Sequence, residues 1–197
     1  MRPQQPDGTV DWDRRATLLA AQSAWQVRGR IAVKADEQGG QGNIVWTQRD
    51  DESRIAVRGP FGAGAVEIVW GEERIVVIGG GGEKTASYAG PDAAERFVQQ
   101  QLGWSFPARS IRYWLLGIAD PAYSSDRRLD AAGGLAAIEQ NGWTVEFSRF
   151  ESVGEHYLPG KLVAQNAHAR VKLFVDEWSL DDAPASPDSP DSRVPVN

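Results

Sequence analysis

From Trp25 onward, apolar residues recur at every second position, in short runs that stop at Gly, Asp or Glu. WQVRGRIAVKA, GNIVWTQRD, SRIAVRG, GAVEIVW, RIVVIG and KTASYAG follow one another between residues 25 and 90. A period of two places successive side chains on opposite faces of a strand, an arrangement no helix accommodates. Six such runs at a spacing of roughly 8–12 residues, joined by tight turns, predict an antiparallel meander. Some runs are apolar on both faces: Ile75 and Val77 alternate with Val76 and Ile78. Such a sheet needs cover on both sides, or must curl around an interior that is itself apolar.

The period lengthens in three places. DWDRRATLLAAQSA, residues 11–24, puts Trp12, Ala16, Leu19 and Ser23 on one helical face with Leu18 beside it, and Asp11 and Asp13 where a helix N-terminus favours anions. GPDAAERFVQQQLGW, residues 90–104, has Pro91 in its first turn and Gly103 as a stop. FPARSIRYWLLGI, residues 106–118, carries Ile111, Trp114 and Leu115 on one side and ends at Gly117. After a polar loop over 119–134, strand patterns resume in GLAAIEQ, GWTVEFSRF, KLVAQN and ARVKLFVDEW. In the second of these, Trp143, Val145 and Phe147 separate from Thr144, Glu146 and Ser148. The expectation is a mainly β (α+β) protein with one large curved antiparallel sheet and helices on its concave side. Residues 1–10 read as a flexible lead, 11–180 as one domain, and the Pro-, Ser- and Asp-rich residues 181–197 as a disordered acidic tail.

Charge narrows the partners. The formal net charge is −6, of which −3 falls after Leu180, so the basic footprint needed for nucleic acid is missing. With no cysteine, disulfides, thiolate metal sites and a Cys nucleophile are excluded. No apolar run approaches the ~18 residues of a membrane span, and MRPQQPDGTV has no apolar signal region.

Motifs for chemistry are scarce. GGGGEKT, residues 79–85, resembles a phosphate-binding loop, but Glu83 stands directly before Lys84 where the loop needs Gly, and a strand pattern follows. It reads as a hairpin. His156 and His168 lie in no metal-ligand array, no GxSxG elbow is present, and Asp50-Asp51-Glu52 fits a solvated turn. No catalytic residue, metal or cofactor is assigned. Eight Trp remain. Many Trp with few catalytic groups suits an ordinary core, and equally an apolar ligand cavity.

WQVRGRIAV (25–33), WTQ (46–48), GPFG (59–62), FPARSIRYWLLGIADP (106–121), QNGWTVEF (140–147), LPGKL (158–162) and VKLFVDEW (171–178) stand in the order and spacing of one family. Over roughly residues 12–180 the chain resembles the bacterial outer-membrane lipoprotein receptor LolB family. The resemblance implies an incompletely closed antiparallel β-barrel of about 10–11 strands with a helical lid over an apolar cavity. It implies a monomeric transfer protein, not an enzyme. Such a protein takes acylated lipoproteins from a LolA-type carrier and inserts them into the phospholipid surface of the outer membrane, on its periplasmic face in a Gram-negative bacterium. In the family an apolar residue in a Pro-x-Gly loop protrudes and is needed for delivery; here the loop is Pro60, Phe61 and Gly62, with Phe where Leu is expected. Family members carry an N-terminal lipidated Cys, so Met1 reads as the start of a trimmed, soluble form.

Alternation nominates the acyl-chain cavity: Ile44, Trp46, Ile55, Val57, Val66, Ile68, Trp143, Val145, Phe147, Val171, Leu173 and Val175, with Ile111, Trp114 and Leu115 as lid. A second class of reading, an envelope scaffold or general hydrophobic-ligand protein without lipoprotein transfer, stays open on the residues alone.

Overall fold

The computed structural model describes residues 11–36, 38–59, 64–90, 93, 96, 97, 100 and 109–180. The expected lead and tail, Trp104, and the loop Pro60, Phe61 and Gly62 lie outside the described residues. So does most of the helix expected over 90–104, of which Ala93, Arg96, Phe97 and Gln100 are helical.

The first half runs α1 (Trp12–Ala20), β1 (Ala24–Ala35), β2 (Gln38–Arg49), β3 (Glu52–Arg58), β4 (Ala65–Trp70), β5 (Arg74–Gly79) and β6 (Lys84–Ala89). The second runs α2 (Ile111–Leu115), β7 (Asp126–Leu129), β8 (Leu135–Gln140), β9 (Trp143–Ser148), β10 (Glu151–Val153), β11 (His156–Leu158), β12 (Lys161–Gln165) and β13 (Ala169–Leu180). Eleven strands form one antiparallel sheet in the order β6-β5-β4-β3-β2-β1-β13-β12-β9-β8-β7, and β10 and β11 form a separate hairpin. The sheet is curved but does not close, because β6 and β7 stand at opposite edges. This is the expected half-closed architecture, and GGGGEKT is the β5–β6 hairpin, with Gly79 N–H donating to Glu83 O at 2.8 Å.

Two expectations give way. The polar loop over 119–134 contains β7, whose side chains are all exposed, so its pairing with β8 rests on backbone bonds and leaves no apolar alternation to read. Of the helix expected over 106–118, residues 106–108 lie outside the described residues, and over 109–118 the helix is the five residues of α2, followed by Gly117 at φ 69°. By contrast α1 starts where expected, since the Asp11 carboxylate accepts the Arg14 N–H at 3.0 Å as an N-cap. Leu19 is buried on its inner face, whereas Leu18 beside it stays 52% exposed.

The two halves of the chain meet along β1 and β13, and there the sheet bends. Arg28 pairs with Glu177 but Gly29 pairs with Val175, so Asp176 is an extra, bulged residue. A Cβ on Gly29 would sit 2.1 Å from the Phe174 carbonyl oxygen, a separation only glycine permits. The bulge also corrects the alternation of β13: Val171, Leu173 and Val175 face inward, then Trp178 instead of Glu177. Trp178 packs edge-on against Trp25 at 5.9 Å and donates its indole N–H to Pro159 O at 3.1 Å.

On the inner face, α1 and α2 cover the half of the sheet built from β1, β13, β12, β9 and β8, joining Leu19, Ile111, Trp114 and Leu115 to one apolar core. A second, smaller core of Ile75, Val77, Tyr88 and Ala93 lies over β5 and β6. Val76 and Ile78 on the other face are half-buried.

A polar frame fixes α2. Gln140, buried on β8, accepts the Trp114 indole N–H and the Asp120 N–H at 3.0 Å each, and donates to Asp120 O and Tyr123 O. Ser110 donates to the Asp120 carboxylate at 2.8 Å. At the other end, Arg15 of α1 donates to Gly117 O at 2.7 Å and to Leu116 O and Tyr157 O at 2.8 Å. These include carbonyls that a helix C-terminus leaves unpaired. Burial lowers the Arg15 pKa to about 10, so the guanidinium is still cationic at physiological pH.

Three stability outcomes follow from this geometry. Arg15→Met strands two buried carbonyls and one part-buried carbonyl and should lower the unfolding free energy by about 3 kcal/mol in chemical denaturation. Gly29→Ala should cost a similar ~3 kcal/mol by forcing β1 from β13. Gly40→Ala, where a Cβ meets nothing within 4 Å, should stay within about 0.5 kcal/mol of the parent.

Candidate functional site

Between the two cores the inner face carries a strip of apolar side chains that are only half-buried. Register sets the floor of this strip. Val66 of β4 pairs with Val57 of β3, which pairs with Ile44 of β2, which pairs with Gly29 of β1, which pairs with Val175 of β13. Towards the β3–β4 hairpin, Ile31 and Val33 of β1 face Gly42 and Gly40 of β2. Because those two positions carry no side chain, the floor drops beside Ile31 and Val33. Ile31, Val33, Val57, Ile68 and Val175 are half-buried, and Val66 is 40% exposed. An apolar trough thus runs from the central strands towards the hairpin. Ile68 and Trp70 pack against both cores and form its inner wall.

The hairpin sits at the open end of the trough. Gly59 N–H donates to Gly64 O at 3.0 Å, closing the turn that carries residues 60–63. The pair Val57 and Val66 is the last inward-facing pair before that turn.

The nominated residues therefore divide. Val57, Val66, Ile68 and Val175 line the trough, and Ile44, Trp46 and Ile55 form its buried base. Trp143, Val145, Phe147 and Leu173 are buried in one core with Ile111, Trp114 and Leu115, and Val171 is buried as well. Trp114 is 0% exposed and its ring centroid lies 6.3 Å from that of Trp143. In this structure α2 closes one half of the interior as part of the core. Alternation alone did not select Ile31, Val33 or Gly42. The regular spacing of Trp25, Val27, Gly29, Ile31 and Val33 could have done so, had the β1–β2 register been known.

The trough is poor in chemistry. Trp46, 3% exposed, holds a buried indole N–H without a hydrogen-bond partner, while Gln48 and Ser53 bond to each other at 2.5 Å further along the same face. His168 lies 3.9 Å from Asp36 with both side chains largely in solvent, and Asp50, Asp51 and Glu52 are an exposed turn. Among the described residues no group of three or more His, Cys, Asp or Glu could hold a metal, and no helix is long and apolar enough to cross a membrane. An apolar strip of this kind suits hydrocarbon rather than a polar substrate.

Comparison with known proteins agrees with this geometry. In solved structures, the fold is shared by a LolA superfamily protein from Nitrosomonas europaea at TM-score 0.56 and 11% identity, covering 88% of this chain and 93% of that one. It is also shared by a putative outer membrane lipoprotein-sorting protein domain from Vibrio parahaemolyticus at TM-score 0.55 and 6% identity, covering 89% and 93%. Sequence relatives are closer. A protein named Outer-membrane lipoprotein LolB from Nitrosococcus oceani is 31% identical over 181 residues, 89% of this chain and 88% of that protein. Its namesake from Pseudomonas fluorescens is 30% identical over 171 residues, 86% and 80%. The family profile described as Outer membrane lipoprotein LolB matches residues 23–178, which includes β1, the trough and all but the last two residues of β13, and the chain belongs to that family.

Proposed function

We propose that the chain receives acylated lipoproteins from a LolA-type carrier in the apolar trough and inserts them into the outer membrane from its periplasmic side. The observation that supports this reading is the strip of half-buried apolar side chains between two packed cores, ending at the root of the β3–β4 hairpin.

The physics suits a passive relay. Each exposed CH₂ of an acyl chain costs ~0.8 kcal/mol in water, so a chain leaves one apolar site only for another. A receiving trough that binds better than the carrier, and a bilayer that binds better still, would move cargo without nucleotide or cofactor. The protein acts as a monomer and performs no bond chemistry. Phe61, in the turn closed by Gly59 and Gly64, enters the lipid surface and brings the trough mouth to it; full burial of that ring is worth ~1.5–3 kcal/mol. That is too little to anchor the protein and enough to orient it.

Two substitutions separate receiving from delivering. Phe61→Glu should keep uptake of a fluorescent acylated peptide within about twofold of the parent while cutting its transfer to vesicles at least ~10-fold. Val66→Glu puts a charge inside the trough and should weaken uptake itself by ~10-fold or more, with folding retained because the position is exposed. Normal delivery by Phe61→Glu, or normal uptake by Val66→Glu, would contradict the reading. Both outcomes are read by fluorescence in one transfer assay.

A further inference from the structure

The outer face of the same sheet is basic, although the chain carries −6 overall. Register aligns its cations. Arg58 of β3 pairs with Asn43, Asn43 with Arg30, Arg30 with Phe174, and Phe174 with Lys161, making one row across five strands. Neighbouring strands lie ~4.8 Å apart, so cations recur about every 10 Å along it. Lys172 and the opposed pair Lys34 and Arg170 extend the strip towards the hairpin end. Carboxylates are fewer. Asp176 pairs with Arg30 at 3.0 Å, Glu177 stands opposite Arg28, Glu146 lies beyond Val163 from Lys172, Glu52 and Glu67 flank Arg54 at 2.8 and 3.8 Å, and Glu139 and Asp126 lie at the β7–β8 edge. Lys34, Arg58, Lys161, Arg170 and Lys172 make no ion pair among the described residues.

An aromatic ring sits at the centre of the row. The Arg30 guanidinium carbon is 5.8 Å and the Lys161 ammonium 5.2 Å from the centroid of half-buried Phe174, beside a shallow depression lined by Ala32, Gln41 and Asn43. Arg58 is the last residue of β3, next to the Gly59 that closes the hairpin. The charged strip is therefore continuous with the turn bearing Phe61.

We propose that this strip binds the anionic headgroups of phospholipids, setting the outer face of the sheet against the bilayer as the hairpin enters it. The membrane as partner rests on the function proposed above; the charge arrangement does not. A row of cations around an aromatic ring, with Arg30 alone among them ion-paired, matches the boundary between headgroups and acyl chains. Its continuity with the hairpin favours lipid over an acidic protein surface.

Co-sedimentation of the unloaded protein with vesicles tests this without cargo. The parent should partition at least ~10-fold better onto phosphatidylcholine vesicles containing phosphatidylglycerol than onto phosphatidylcholine alone, and the gap should close as salt screens the charges. Each cation near an anionic surface is worth roughly fivefold in partition, so Arg58→Gln, Lys161→Gln and Lys172→Gln together should erase most of that gap. Circular dichroism checks that the triple variant keeps its fold. A triple variant that binds like the parent, or a parent indifferent to phosphatidylglycerol, overturns the proposal. An indifferent parent whose affinity for the LolA-type carrier falls in the triple variant would assign the strip to a protein partner, which also overturns it. Failure here leaves the transfer reading intact. That reading fails separately, if the parent delivers no acylated peptide to vesicles of either composition.

Discussion

The close approach of β1 and β13 at Gly29 is the contact on which the rest of the architecture depends. These are the strands through which the two halves of the sheet are joined. Because Gly29 lacks a Cβ, the Phe174 carbonyl can lean into the space a side chain would fill, and the Asp176 bulge bends β13 at the same level. A long sheet bent at its centre turns one apolar face inward. That curvature lets Trp25 meet Trp46 on one side and Trp178 on the other, at 5.9 Å each. It also leaves concave surface that α1 and α2 do not cover.

Where the helices do cover it, they are fixed. Arg15 and the group of Ser110, Asp120, Trp114 and Gln140 tie α2 to three separate parts of the chain through buried hydrogen bonds, each expensive to leave unmade. Where they do not, the floor is built from half-exposed Val and Ile beside Gly40 and Gly42. Rigid and open regions are thus separated across one sheet. Binding apolar cargo in the open region asks nothing of the fixed one, so stability and uptake need not compete at the same residues.

Much of the fold was legible in the sequence because apolar alternation and Gly-rich turns are local signals. The six-strand meander, the N-cap at Asp11 and the hairpin at Gly79–Gly82 all follow from such signals. β7 was not legible, since a fully exposed edge strand held by backbone bonds has no pattern of its own. The inward turn of Trp178 was not legible either, because a bulge shifts the alternation without marking the sequence. The site was only half legible. Alternation shows which face Val145 or Val66 occupies, but what packs on that face is a tertiary fact. Val145 ends buried beneath the helices and Val66 ends open. Arg15 illustrates the same limit: on a polar helix it looks like a solvated charge, and only the fold shows three carbonyls waiting for it.

The central claim is that acyl cargo lies in the trough by the β3–β4 hairpin and not beneath α2. Photo-crosslinking measures this directly, with a photoreactive residue placed at position 66 or at position 113 and an acylated lipoprotein peptide bound. Capture from position 66, with little or none from position 113 on α2, is the expected result. Capture from position 113 with none from position 66 would place the cargo under the helix and contradict the claim.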